Sequence, residues 1–497
     1  MNTPDTTAGP IDLSASPATN AVVTTDTGRQ LVGRLHTHDL VLAALALAGP
    51  LAATTGYTAL LLGFGSGLGT SWTFLVVMVV LLFFAMAYGA MTRSVDRPGA
   101  FYSYITAGLG KHVGLGSSFL ILASYITIGV GFYGFAGLSL AEYVVRLGGP
   151  ELPWWLFSLA YWVVVGTLAY FRVDLSAKVL GVLLLLEVVV VTIFDIVSIA
   201  GGTRDHGLAL APLNPGTFFD GNVGFALAFA VALFTGFEAT AIYREETVRP
   251  NKTIPRAAIF VVLIIGLFYA FTAWAFINGL GEENAVALSA ESPAGVFFVV
   301  ATQYGGPILS DIASVLLITS VFAAHLAIQN VSTRYVYSLG VDGILPRALG
   351  VPHPRHGSPA RASVTVSLTY LIFTGALILF GLTALEIYAW FAGLASFTLI
   401  LAMVLVSLSA IVYYAFSGRG RTEPQSFSTR IAPTLAFLGL GTIAVLVQLN
   451  FGAITGGSPL LNIVMIVCSY VTFAVGIIVA EVLRRRAPHV FNRIGRQ

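Results

Sequence analysis

Twelve stretches of mostly apolar residues recur along the chain, at 38–64, 71–92, 114–145, 154–171, 176–200, 221–243, 256–280, 305–338, 362–381, 384–416, 431–451 and 459–483. Each approaches or exceeds the roughly 20 residues needed to cross a bilayer. Hydrocarbon offers a peptide group no hydrogen-bond partner, so such segments satisfy their own backbone as helices. An all-α polytopic membrane protein with twelve transmembrane helices is the expectation. The charged fraction agrees, at 10% against about 25% in soluble domains. The third, eighth and tenth stretches are long enough to tilt or to extend past the bilayer.

The basic residues orient these spans. With the N-terminus inside, all 25 Lys and Arg except Arg146 and Arg204 fall in segments on one side. That bias is the positive-inside pattern and predicts cytoplasmic N- and C-termini in the cell membrane. Residues 1–35 lack an apolar core and read as a disordered cytoplasmic tail, neither a signal peptide nor a span. The twelve-helix domain occupies 36–483, and residues 484–497 form a basic cytoplasmic tail. A net charge of +2 implies no nucleic-acid partner. The single cysteine, Cys468, excludes an internal disulfide and a cysteine-based metal cluster, and reads as a small packing residue.

Two spans carry helix-weakening residues. In the first, Ala48, Gly49, Pro50, Ala52, Ala53, Thr54, Thr55 and Gly56 follow an apolar run. In the sixth, Phe234, Thr235, Gly236 and Phe237 interrupt one just before the acid Glu238. Pro removes a ladder hydrogen bond and Gly weakens helix propagation. The first and sixth positions correspond if 36–200 and 220–416 are two five-helix repeats, with helices 11 and 12 (430–483) outside them. An odd number of helices makes the second copy inverted, and substrate sites of such transporters lie between two discontinuous helices. Unwound amides can hold a carboxylate and unwound carbonyls an ammonium group. The expected substrate site therefore comprises Ala48, Gly49, Ala52, Ala53, Thr54, Thr55 and Gly56 with Phe234, Thr235, Gly236 and Phe237, and its ligand is an amino acid or related amine.

Three segments carry a family resemblance. They are Gly236-Phe237-Glu238 with Glu245-Glu246-Thr247, Pro250 and Thr253–Ala257; Arg334–Leu339 with Asp342-Gly343-Ile344-Leu345-Pro346; and His353–Pro359. Together they resemble the amino acid–polyamine–organocation permease superfamily, over roughly 34 to 481. The resemblance implies a secondary transporter working by alternating access, with Glu238 as the acid of a gate-proximal motif. It also places Glu187 at a fifth-span position where some relatives carry a lysine proposed to replace a sodium ion. One departure stands out: the glycine-rich run usual at the first break is here Gly49, Pro50, Ala52 and Ala53, and Pro50 has no N–H to offer a carboxylate.

Glu187 lies about nine residues beyond Lys178, roughly 13 Å into the membrane. Burial disfavours its charged form, so it can bind and release a coupling proton; a neutral structural acid is the alternative. Glu245, Glu246 and Arg249, between spans 6 and 7, are expected to organise the cytoplasmic gate. Asp195, near the outer end of span 5, is expected to be solvated. His325 is the only histidine in the interior of a span and is expected to be a satisfied packing residue, with pH sensing or substrate contact as the alternative. Helix position adds Tyr125, Ile328 and Trp390 to the pocket. No histidine or carboxylate cluster suggests a metal, no cofactor is expected, and no Walker-type loop is present. Proton symport and substrate exchange both stay open. An integral membrane enzyme and a sensor are the readings of other classes.

Overall fold

The computed structural model describes residues 35–95, 100–171, 177–234, 236–241, 244, 247–353, 358–418, 420, 426–456 and 458–495. Among them every regular element is a helix, with one isolated bridge joining Leu35 to Thr247. The N-terminal tail and Thr235, Glu245 and Glu246 lie outside the described residues.

Among the described residues ten helices are long and apolar enough to cross a membrane. The fourth and sixth expected spans are occupied by shorter apolar helices, α7 (Trp154–Tyr170) and α9 (Val223–Leu233). The first is a composite of α1 (Thr37–Ala48), α2 (Pro50–Ala52), a π-helical segment Ala53–Thr58 and α3 (Ala59–Phe64). The eighth span lies in α12 (Val296–Val341), which bends at Gly306 (φ 80°) just before Pro307. The proline removes a ladder bond and glycine accepts the left-handed angle. Exposed apolar side chains recur on the outer faces. On α8 (Ala177–His206) these are Val182, Leu185, Val189, Ile193 and Ile196, and on α17 (Pro459–Arg486) Ile463, Val467, Val471, Ile478 and Val482. An apolar stripe facing outward suits lipid rather than water, and the chain is a multi-pass membrane protein. Cys468 lies on this exposed face of α17 instead of packing inside.

The centre is built from α4 (Thr70–Ser94) against α10 (Pro250–Leu280), and α6 (Lys111–Arg146) against α14 (Ala384–Phe416). Small residues permit the close approach: a Cβ on Gly89 would meet Pro255 at 2.7 Å, and one on Gly134 would meet the Ala384 carbonyl at 2.7 Å. At one face, Leu35 accepts from the Val248 amide, and Lys111 reaches Asn492 near the end of the described chain. This is termed the terminal face. At the opposite face Asn222 bonds the Gly65 carbonyl and Asn278 bonds the Ala209 amide.

Candidate functional site

The first break is sharper than an unwound stretch. α1 stops because Gly49 takes a left-handed conformation (φ 55°, ψ 74°), with its amide still bonded to Leu45. Pro50 then starts α2 at the position where a missing N–H costs nothing. The next amide, Leu51, donates to Glu187 Oε2 at 3.3 Å. Ser320 Oγ of α12 donates to the same oxygen at 2.9 Å. Glu187, on α8, thus joins the first, fifth and eighth spans at a buried point. The wide turn that follows uses its own threonines: Thr54 Oγ1 donates to Pro50, and Thr55 Oγ1 to Leu51.

The second break also engages a glutamate. α9 ends at Leu233, and Gly236 adopts φ 122° before a 3₁₀ turn, Phe237–Ala241. Glu238 folds back, its Oε2 accepting from the Gly236 amide at 2.8 Å, while Tyr125 of α6 donates to Oε1 at 3.2 Å. The Tyr88 hydroxyl donates to the Glu238 carbonyl at 2.8 Å. Phe234 and Phe237 are fully buried, and Phe237 meets Phe84 edge-on with centroids 5.7 Å apart.

Between the breaks lies a cavity of about 60 Å³. Ala48, Tyr125 and Ile328 line it, as do Tyr57, Phe132 and Ser396. Ser124 Oγ donates to the Ala395 carbonyl at 2.7 Å and Ser396 Oγ to the Ala228 carbonyl. An aromatic group covers the cavity on the side away from the termini. Tyr388 stacks on Phe135 (4.7 Å, 22°) and meets Tyr57 edge-on at 5.4 Å. Beyond it a second cavity of about 160 Å³ opens, lined by Thr55, Phe135, Glu142, Arg146 and Phe298 among others. Arg146 closes its rim, donating to Ser314, Ser310 and Asp311 of α12 at 2.8, 2.9 and 2.7 Å.

Several expected residues take other positions. Trp390 is half-buried and is not among the residues lining the central cavity. His325 is buried but not satisfied: neither ring nitrogen has a protein hydrogen-bond partner, and it lies among Phe132, Tyr133, Tyr161 and Tyr370. Asp195 is not solvated; it is 1% exposed and accepts from Thr272 at 2.9 Å. α8 continues to His206, so Asp195 sits well inside the helix. Arg249 is exposed at the start of α10 with φ 51°. The residues not anticipated are Tyr57, Phe132, Ser124, Ser320 and Ser396; nothing local marks a hydroxyl on one helix as the partner of an acid on another. Among the described residues no group of three or more His, Cys, Asp or Glu side chains could hold a metal.

Comparison with known proteins places this arrangement. The chain is 26% identical over 412 residues to the branched-chain amino acid permease BcaP of Bacillus subtilis, covering 78% of this chain and 82% of that one. It is 25% identical to the low-affinity putrescine importer PlaP of Escherichia coli (74% and 78% covered), and 27% identical to the histidine permease HisP of Lactococcus lactis (74% and 78%). The fold resembles the crystal structure of MhsT in complex with L-phenylalanine, with a TM-score of 0.53, 16% identity, and 86% of this chain and all of that one covered. The sequence pattern of amino acid permeases matches residues 42–490, and the chain belongs to that family of transporters, which are not enzymes.

Proposed function

We propose that the chain is a secondary active transporter of amino acids or related amines in the cytoplasmic membrane. It works by alternating access around the two breaks and is coupled to protons through Glu187. Twelve membrane helices, a five-plus-five inverted repeat and cytoplasmic termini belong to this reading; the one-sided distribution of Lys and Arg supports the orientation. The relatives named for branched-chain amino acids, putrescine and histidine support the substrate range.

The observation that carries the coupling is the single oxygen, Glu187 Oε2, that receives both Leu51 and Ser320. Ionised, it makes charge-assisted hydrogen bonds that hold the restart of the first helix against α12. Protonated, it accepts both donors more weakly, and α1–α2 is freer to move relative to α12. Proton occupancy thereby biases the arrangement of the broken helix, which is the element alternating access must move. Glu238, held by Gly236 and Tyr125, acts at the second break, and Glu245, Glu246 and Arg249 are assigned to the cytoplasmic gate. Substrate contacts are assigned to Ala48, Gly49, Ala52, Ala53, Thr54, Thr55 and Gly56 at the first break and to Phe234, Thr235, Gly236 and Phe237 at the second.

A second reading is exchange without net proton coupling. It is favoured by the same oxygen having two donors, since a carboxylate so satisfied can stay ionised throughout. Uptake of labelled leucine, histidine and putrescine into proteoliposomes with and without an inward proton gradient separates the two. Uptake that collapses with the gradient, and in Glu187→Gln, supports symport. Uptake that ignores the gradient but requires internal substrate supports exchange. Absence of both from folded protein overturns the transporter reading.

A further inference from the structure

The chain does not leave the terminal face where α17 ends. Residues 487–495 turn back through a short helix, α18 (Pro488–Phe491), and pack across the ends of other helices. Ile494 is 1% exposed and enters a small apolar core, separate from the main one. Its partners there are Tyr102 of α5 (Ala100–Leu109), Leu115 of α6, Leu339 of α12 and Ala480 of α17. A solvated basic tail would bury no such side chain. The Gly495 amide donates to the Tyr102 hydroxyl at 2.8 Å, and a Cβ on Gly495 would meet Thr106 of α5 at 2.5 Å. At the rim, Lys111 Nζ donates to the Asn492 side chain at 3.1 Å and lies 5.0 Å over the Phe491 ring. Val490 faces Gly343, just past α12, where a Cβ would stand 3.6 Å away, and Arg493 favours charge on the adjacent Asp342.

The two elements joined in this way carry rings that stand between the central cavity and the terminal face. α12 lines the cavity with Ile328 and Val331, and Tyr335, one turn closer to the terminal face, meets Tyr125 at 5.7 Å. On α5, Phe101 meets Phe84 and Tyr88 edge-on at 5.7 and 5.6 Å. Phe84 in turn meets Phe237 of the second break, and Tyr88 holds the Glu238 carbonyl. Tyr102 adjoins Phe101 in the chain, and Leu339 lies one turn beyond Tyr335. The segment therefore fastens α5 and α12 just outside the rings that each contributes.

We propose that residues 487–495 form a latch: seated on Tyr102 and Leu339, they hold α5 to the end of α12 and keep the central cavity closed toward the terminal face, and their release lets this side open. The proposal rests on the transporter reading above and adds to it a control of one side of the cavity. The seat is small, an isoleucine and a buried amide bond with Lys111 at the exposed rim. Contacts of that size shift a two-state balance on the order of tenfold, which biases opening without preventing it.

The test follows the thiol of Val331→Cys, in the cavity wall, in full-length Cys468→Ser protein. A membrane-impermeant thiol reagent is applied to vesicles with the terminal face outward. Ser139→Cys, in the larger cavity, is followed in vesicles of the opposite orientation. Deletion of 488–497, Ile494→Ser and Tyr102→Phe are each expected to speed labelling of Val331→Cys, the deletion on the order of tenfold. Ser139→Cys should keep its rate or slow. A synthetic peptide of residues 484–497 should restore slow labelling to the deletion protein. Thermal melting identifies the variants that fold, and the two point variants carry the test where the deletion does not. An unchanged rate at Val331→Cys in folded variants would overturn the latch and leave the transporter reading standing. Faster labelling at both positions, or a rise that the peptide does not reverse, would also overturn it, because the helices would merely have loosened. Uptake of labelled leucine, histidine and putrescine by the wild type is measured separately; its absence from folded protein would overturn the transporter reading, whatever the labelling shows.

Discussion

Glu187 accepts the amide of Leu51, a residue 136 positions earlier, at 3.3 Å, and this bond ties the fifth span to the restart of the first. The Leu51 amide follows a proline at a helix N-terminus, where no carbonyl precedes it in the ladder. Replacing Glu187 with Leu leaves Leu51 and Ser320 without their shared acceptor and is expected to destabilise the protein by about 1–3 kcal/mol. Glu187→Gln keeps an acceptor oxygen but not the titration. It is expected to melt close to wild type, lose gradient-driven uptake and retain exchange. Equal loss of both activities in the Gln variant would count against a coupling role.

Gly236 is expected to tolerate no side chain. Its φ of 122° is closed to L-residues whatever the surrounding space, and its amide holds Glu238. Gly49, at φ 55°, is milder: alanine fits the left-handed region at about 1–2 kcal/mol, though its Cβ would come within 3.2 Å of Ser320 Oγ. Gly236→Ala should therefore abolish uptake and lower the melting temperature, with Gly49→Ala losing less of each. The reverse order would show that the second break is not the constrained one.

The hydroxyls of Tyr125 and Tyr88 converge on Glu238, one on its carboxylate at 3.2 Å and one on its carbonyl at 2.8 Å. Each Phe variant leaves a buried acceptor short of a donor, with an expected cost of about 1–3 kcal/mol. Because both bonds fix one residue, the double variant should cost less than the sum. Thermal melting of the four proteins in a double-mutant cycle measures this. Strict additivity would mean that the two tyrosines hold Glu238 independently.

Both breaks were legible because Gly49-Pro50 and Gly236 announce themselves in backbone terms: one residue lacks an N–H and the others accept angles that side chains forbid. Their partners were not legible. Ser320 and Tyr57 are ordinary helix residues until packing brings them beside Glu187 and Tyr388, and no local pattern encodes a contact between helices far apart in sequence. Asp195 was misplaced for a related reason. The expected fifth span ends at residue 200, yet α8 continues to His206, with Gly201 and Gly202 lying against Tyr304 and the Asn278 carbonyl where a Cβ would clash. The sixth span was legible as a hydrophobic run, but α9 is an 11-residue helix because it is capped at Phe234 and the chain turns away at Gly236, with φ 122°.

Asp342 predicts a pH dependence outside the spans. It caps the end of α12, is 5% exposed, and burial pushes its carboxyl up to about 6 from an ordinary 3.8, with Arg493 opposing. A carboxyl raised on folding favours the folded state while protonated. Its contribution is thus fully present below about pH 3.8 and is lost as pH rises through about 6. Asp342→Asn cannot ionise and should gain stability relative to wild type between pH 5 and pH 7. Melting curves of both proteins across that range test it; a difference that shrinks as pH rises would reverse the sign and reject the assignment.

Arg146 illustrates an ion pair whose value lies in position rather than stability. Its contact with Asp311 is short, at 2.7 Å, but the two side chains are 32% and 67% exposed. Exposed pairs contribute about 0–1 kcal/mol, so Arg146→Ala should shift the melting temperature little. The same guanidinium nevertheless fastens the end of α6 to three residues of α12 across the rim of the larger cavity. Removing it should free that rim to open. In a Cys468→Ser background, a cysteine at Ser139, which lines this cavity, should react faster with a membrane-impermeant thiol reagent once Arg146 is Ala. An unchanged rate would mean that the ion pair does not hold this rim closed.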